Sequence, residues 1–447
     1  MSRATISTGG IAFDAPARKR GEAPSYALIL GDFSAAASRG AAATPKLRAI
    51  SRDNFDEVFA ALDVTLQLPL QDEPLRFTEL DELHPDFLYE HVDLFARLRD
   101  LERRLRNRDT FAAAAAELGA ATPASAAPTS TLSLDELLQS APKAATGFDV
   151  QQLIRTIVGP HIVPAPDPQQ GPLLAALNTA TGELMRELMH ASAFQALEAS
   201  WRGLYFLLRR IDGDREPPLF LLDCTVEQLP ALLAAGGDLE RLLQKAGRLD
   251  EAPSLLLADF TFGTSAADIA AAQQLAAFAQ RRDTLAFAAG SALIAGCAEL
   301  AATPDPDDWQ AALSSDAQSA WQALRTSESA QALLLTVPGF LLRLPYGRRT
   351  STTEKLAFEE SVDGSNMHYL WGNGAWLAAL ALFNDSAEIG QLPLHTRTHD
   401  GAEFQSCTEA LLHDRAAAQL KRHGLMPLRA VSGADVIRIP EWISVAQ

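Results

Sequence analysis

Apolar residues recur along this chain with two different periods. The run Tyr26-Ala27-Leu28-Ile29-Leu30 is unbroken and ends at Gly31-Asp32, which predicts a buried strand stopped by a turn. Residues 34–46, rich in Ala, Ser, Gly and Pro, predict a loop. Asp53-Asn54-Phe55-Asp56-Glu57-Val58-Phe59 opens a helix, with acidic residues in the first turn where the helix dipole favours them. Leu66-Gln67-Leu68-Pro69-Leu70 and Leu75-Arg76-Phe77 alternate as strands do. From Asp86 to Arg108 the period lengthens: Leu88, Val92, Phe95, Leu98, Leu101 and Leu105 form the stripe of an amphipathic helix. Its polar side carries Arg97, Arg99, Arg103, Arg104, Arg106 and Arg108.

Residues 112–132 are dominated by Ala, Thr, Pro and Ser and offer little surface for a core, so they predict a linker. Ala112 to Leu118 can prolong the preceding helix. Beyond the linker, Ser133-Leu134-Asp135-Glu136-Leu137-Leu138 predicts a short helix, with Ser133 as N-cap and Glu136 at the capping-box position. Residues 171–211 are helical in pattern, with Leu184, Leu188, Leu197, Trp201, Leu204 and Leu208 on one stripe. Strands at Leu219–Cys224, Leu255–Asp259 and Thr284–Ala288 then alternate with helices at 226–246, 265–281 and 292–301. That alternation predicts a mainly parallel sheet to about residue 335. Residues 338–358 read as turns, a helix starts near Gly374, and Glu409 to His423 is a helix closed by Gly424. Val436 to Pro440 reads as a last strand.

The expected organisation is a flexible arm (1–24), a small α/β domain (25–111), the linker (112–132) and a larger α/β domain with a mainly parallel sheet and helices (133–447). Its 447 residues have room for this, and 47% hydrophobic with 21% charged residues is the composition of a chain with a sizeable core.

The formal net charge of -18 disfavours sequence-independent binding of nucleic acid or adsorption to anionic lipid. No stretch of apolar residues reaches the roughly 18 that a membrane span requires. The first 24 residues lack the apolar core of a secretory signal. Cys224, Cys297 and Cys407 are scattered and odd in number, which predicts reduced, buried thiols in a cytoplasmic protein.

Candidate chemistry is sparse. His395 and His399 lie four apart, but the intervening Thr396-Arg397-Thr398 after Pro393 reads as extended, and no HExxH pattern is present. Gly372-Asn373-Gly374 is a turn before a helix and not a dinucleotide fingerprint. There is no P-loop and no GxSxG elbow. No catalytic residue, cofactor site or metal site is assigned, and no enzymatic activity is expected. The arginine-rich face at 97–108 reads either as a solvated helix face or, through Arg103, Arg104 and Arg106, as a docking surface for an acidic partner.

An ordered set of motifs resembles the contractile sheath proteins of bacterial type VI secretion systems, the small subunit TssB and the large subunit TssC. Leu30-Gly31-Asp32-Phe33 and Ile50-Ser51-Arg52-Asp53-Asn54-Phe55-Asp56-Glu57-Val58 resemble the small subunit. Phe194 to Leu204, with Trp201-Arg202-Gly203, is similar to the large subunit's FQxLExxWRGL. Asp259-Phe260-Thr261-Phe262, Leu341 to Gly347 with Arg343, Pro345 and Tyr346, Phe358-Glu359-Glu360, and Tyr369-Leu370-Trp371-Gly372-Asn373 follow in that family's order. Cys407-Thr408-Glu409 and Gly424 to Leu428 resemble its closing segments.

The resemblance implies a structural protein whose fold is sheath-like, a shortened small-plus-large-subunit fusion. In the family, the two subunits form a heterodimer that polymerises helically around an inner tube and exchanges strands with its neighbours. The implied partners are other sheath or baseplate proteins, possibly further copies of this chain, and an AAA+ unfoldase that would read the helix carrying Leu134, Leu137 and Leu138. This chain departs from the pattern: the small-subunit part stops near Arg108, and the segment between Asn373 and Cys407 is short. A second expectation is therefore a non-polymerising accessory that caps, templates or regulates the sheath or baseplate; an enzyme on a related α/β scaffold is the remote third.

Overall fold

The computed structural model describes residues 5–8, 11–14, 25–68, 73–119, 170–213, 216–311, 313–362, 369–392, 406–431 and 434–447. Thr5–Thr8 (β1) and Ile11–Asp14 (β2) pair antiparallel within the stretch expected to be a flexible arm. Ala27–Gly31 (β3) is the predicted buried strand, and Leu47–Ile50 (β4) follows the loop. Phe55–Ala61 (α1) turns Phe55, Val58 and Phe59 inward. Thr65–Leu66 (β5) and Leu75–Arg76 (β6) form a short ribbon.

The single helix expected over 86–108 is two: Pro85–His91 (α2) and Asp93–Arg106 (α3). Val92 between them is extended, which reorients the stripe without a glycine or proline at the break. Asn107, also extended, separates α3 from Arg108–Gly119 (α4), so the first part of the expected linker is helix. The hairpin of α3 and α4 buries Leu101, Leu105, Ala114 and Leu118.

Gln170–His190 (α5) and Ser192–Arg210 (α6) meet at an extended Ala191. Leu219–Asp223 (β7) follows. The helix expected over 226–246 is broken into Leu229–Leu232 (α7) and Asp238–Lys245 (α8), because Gly236 takes a positive φ of 69°. Leu255–Phe262 (β8), Ala266–Arg281 (α9) and Ala286–Gly290 (β9) match the predicted alternation. The helix expected over 292–301 is only a short 3-10 turn, stopped at Gly296 in the left-handed region.

Ser315–Arg325 (α10) precedes Leu333–Val337 (β10). Phe340–Arg343 (β11) pairs with Leu370–Gly372 (β12), within the stretch 338–358 that reads as rich in turns. Ala375–Asn384 (α11) begins where expected. Glu388–Ile389 (β13), Asp414–Arg422 (α12), Leu425–Pro427 (β14), Arg429–Ala430 (β15) and Ile437–Arg438 (β16) complete the described chain.

The main sheet has the order β14-β10-β9-β8-β3-β7-β4, parallel except where β4 pairs with β7. Its strands feed two apolar layers by their period of two. Ala27, Ile29, Leu255, Leu257, Phe287 and Leu334 face a core built with α3, α5, α6 and α11. Leu28, Leu30, Leu256, Ala258, Ala286 and Leu335 face the core of α8, α9, α10 and α12. β3 lies between β7 and β8, with all five residues buried. The boundary placed at 112–132 thus separates two stretches of chain that share one sheet and one core.

Candidate functional site

Helix α6 carries Phe194, Leu197, Trp201, Leu204 and Leu208 on its inner face, and Glu198 stands in the same stripe with no solvent exposure. A carboxylate there requires a cation. Arg343, the last residue of β11, supplies it: Nε donates to Glu198 Oε1 at 2.7 Å and Nη2 to Oε2 at 2.9 Å. The same guanidinium reaches Glu360, Nη1 to Oε2 at 2.7 Å and Nη2 to Oε1 at 3.0 Å. Arg202, one turn after Glu198, donates Nε to Glu198 Oε1 at 2.7 Å.

Tyr346 closes the group. Its ring lies 4.4 Å from the Arg343 guanidinium carbon, its N–H donates to Glu360 Oε2 at 2.7 Å, and its hydroxyl accepts from Arg202 at 3.2 Å. The His84 ring meets Tyr346 edge-on at 4.7 Å, and His190 Nε2 lies 3.7 Å from Glu360. Pro345, also buried, accepts a hydrogen bond from the Thr350 hydroxyl through its carbonyl.

Two guanidinium groups and two carboxylates balance, which is the condition for tolerating such charges inside a protein. Burial would raise Glu360, but His190 and the Arg343 charge outweigh it and hold the carboxyl down at about 2. Burial opposes ionisation of Glu198 as well, and Arg343 and Arg202 overcome it and lower it. Burial would lower Arg343, whereas the two carboxylates raise it. Carboxylates held ionised beside an arginine are poor proton carriers near neutrality. The cluster fastens α6, the end of β11 and the segment at 360 together, and it offers little else.

A second junction lies beside the end of β3. Trp201 Nε1 donates to Phe33 O at 2.9 Å, and its ring packs on Phe33, Phe55 and Phe59. Trp376 Nε1 donates to Asp259 Oδ1 at 3.0 Å. Gly203 is needed where α6 crosses Trp376: a Cβ there would lie 2.7 Å from the indole Cδ1. Asn373 Nδ2 donates to Phe260 O at 3.1 Å, while its Oδ1 accepts from Ala375 N at 2.8 Å and starts α11. β3 is where the strand order reverses, the place where doubly wound sheets usually take a ligand. Here tryptophans pack against that end.

The remaining expected residues stand apart. Asn54 Oδ1 accepts from Ser51 N at 2.7 Å, and Nδ2 donates to Ala49 O at 3.0 Å; Asp53 is exposed. Trp371 is half-buried on β12 against Tyr369. Arg103 pairs with Asp100, Arg104 with Glu117 at 2.5 Å, and Arg106 with Glu102 at 2.7 Å, so the chain's own carboxylates engage all three. Leu134, Leu137, Leu138, His395 and His399 lie outside the described residues. Among the described residues, no group of three His, Cys, Asp or Glu is placed to hold a metal, and the three cysteines are free and buried.

Glu198, Asp259 and Glu360 lie within the quoted motifs without standing out there as site residues, and Trp376 and His84 lie outside them. Glu198 had a visible signal, a carboxylate in an apolar stripe four residues before an arginine. His84 had none, since it meets the cluster only through the fold.

Residues 172–440 match the family described as VipB: EvpB/VC_A0108, tail sheath N-terminal domain. The chain is also similar to type VI secretion system sheath protein TssC1 of Pseudomonas aeruginosa, 28% identical over 291 residues. That alignment covers 59% of this chain and 58% of the relative, so the chain spans somewhat more than half the relative's length. Glu198, Trp201, Arg202, Gly203, Asp259, Arg343, Glu360 and Trp376 all fall inside the matched region, whereas Phe33 and His84 precede it. The motifs that meet in the two junctions are thus largely those of the matched region, and the chain belongs to the VipB tail-sheath family.

Proposed function

We propose that the chain is a structural component of a bacterial type VI secretion apparatus, in which one polypeptide joins a small-subunit-like segment (25–111) to a large-subunit-like segment (133–447). The observation that carries this is the position of β3. It precedes the matched region, yet it pairs with β7 and β8, both inside that region. The earlier segment therefore completes the sheet of the sheath domain, as a dedicated partner subunit would. The test is a protease site inserted in 120–132. After cleavage the two pieces should still co-elute as one particle, and separation under native conditions would refute the fusion reading.

A non-polymerising accessory that caps, templates or regulates the sheath or baseplate is the second reading. It is favoured by the edges of the main sheet. Asn54 takes the Ala49 carbonyl on β4, and β14 ends in Pro427, features that hinder the addition of a strand at either edge. Negative-stain microscopy of concentrated protein distinguishes the two: long tubes support the protomer, discrete particles the accessory. Partners on either reading are sheath or baseplate proteins in the cytoplasm, with an AAA+ unfoldase acting at Leu134, Leu137 and Leu138. Among the described residues no helix is long and apolar enough to cross a membrane.

A further inference from the structure

The chain leaves β11 as an irregular strap, 344–360, crossed by a bridge between Tyr346 and Ser351. Residues from Arg348 to Phe358 line a cavity within it, so the strap has little packing of its own to fix its shape. Its neck is closed by a reciprocal pair. Tyr346 N donates to Glu360 Oε2 at 2.7 Å, and Glu360 N donates to Tyr346 O at 2.9 Å. The closed neck is what presents Glu360 to Arg343.

Helix α2 reaches this strap from the far end of the sequence. Asp86 offers it both carboxylate oxygens: Oδ2 accepts from Glu354 N at 2.8 Å and Oδ1 from Lys355 N at 2.9 Å, across 268 and 269 residues. Two successive backbone N–H groups on one carboxylate make a charge-assisted grip. Glu90, one turn further along α2, pairs with Lys355 Nζ at 2.9 Å. The His84 ring packs on Tyr346 at the neck. Among the described residues, the hydrogen bonds and ion pairs that leave 352–358 all run to α2. The charges match too. Positions 348–355 carry Arg348, Arg349 and Lys355 against one carboxylate, Glu354, and α2 brings Asp86 and Glu90.

We propose that the strap is a docking surface for α2, and that Asp86 is the positioning residue that closes it and so seats Glu360 against Arg343. Closing the neck costs the conformational freedom of the loop between Tyr346 and Glu360. Pinning 354–355 to α2 removes much of that freedom beforehand. The ion cluster of the later segment is therefore completed by the earlier one, through contacts separate from β3. This goes beyond the fusion reading: cleavage asks whether the two pieces stay together, whereas the strap concerns what the earlier piece does to the later one.

The test is residue-resolved hydrogen exchange on the full chain carrying Asp86→Ala. Glu354 and Lys355 lose their acceptor directly and are no guide. The amides of Tyr346, Gly347 and Glu360 do not touch Asp86, and their exchange should quicken about tenfold while that of α11 stays as in the wild type. Asp86→Asn retains a single carbonyl acceptor and should give a smaller rise, about threefold, at the same amides. Unchanged exchange at Tyr346, Gly347 and Glu360 would overturn the proposal, and so would an equal rise throughout α11. Should Asp86→Ala fail to fold, Asp86→Asn decides by the same amides.

Discussion

Arg343 grips Glu198 through two parallel N–H···O bonds, 2.7 and 2.9 Å long, 145 residues apart in the chain. The pair joins two motifs of the matched region, and Glu360 brings in a third. Arg343→Met would remove the one cation that two buried carboxylates share, leaving Glu198 with Arg202 alone. We expect a loss of about 3–5 kcal/mol in urea denaturation. A loss under about 1 kcal/mol would show that the pairing is not part of the folded core.

Gly203→Ala tests the close approach of α6 and Trp376. The added methyl would lie 2.7 Å from the indole Cδ1, and overpacking of this kind costs about 1–3 kcal/mol. Combined with Trp376→Leu, the two changes should be less than additive, because the smaller side chain makes room for the methyl. Strict additivity would place the two residues apart.

Trp201 fills the core between α1, α6 and the end of β3. Trp201→Ala should cost about 3–5 kcal/mol by thermal or chemical denaturation. Trp201→Phe keeps much of the ring and removes the donor to Phe33 O, so about 1–3 kcal/mol is expected there. A Trp201→Ala variant that melts like the wild type would contradict the core assignment.

Acid should weaken the fold through the ion cluster. Glu360 is depressed from 4.5 to about 2, and Glu198 is lowered too. Their contribution is present above about pH 4.5 and drains away as pH falls toward about 2. In Glu360→Gln this part of the acid limb should flatten. An unchanged acid limb in that variant would remove Glu360 from the account.

Much of this was legible in residues alone, and what was not has physical causes. Tyr26 to Leu30 reads as a buried strand because a fully buried parallel strand shows no alternation. Nothing local says that it lies in the middle of the sheet, since strand order is a long-range property. Leu425–Pro427 is too short to display a period, and it becomes a strand only by pairing with β10. The 86–108 stripe continues through Val92 and Asn107 although the backbone turns at both, so packing and not punctuation ends those helices. The motif residues Trp201, Arg202, Gly203, Arg343 and Tyr346 are legible in the sequence, but their meaning as one junction requires Glu198 and Glu360 between them. The basic face at 103–106 looked available because Glu117, its partner for Arg104, lies on the next helix.

On the proposed function, this member of the tail-sheath family should be built into a type VI secretion apparatus. The direct measurement is to isolate contractile particles from the producing cells and quantify this chain in the sheath and baseplate fractions. The account predicts that the chain is present there at a fixed stoichiometry, and that its removal impairs assembly or tube export. Particles that lack it, with assembly and export unchanged in its absence, would contradict the account.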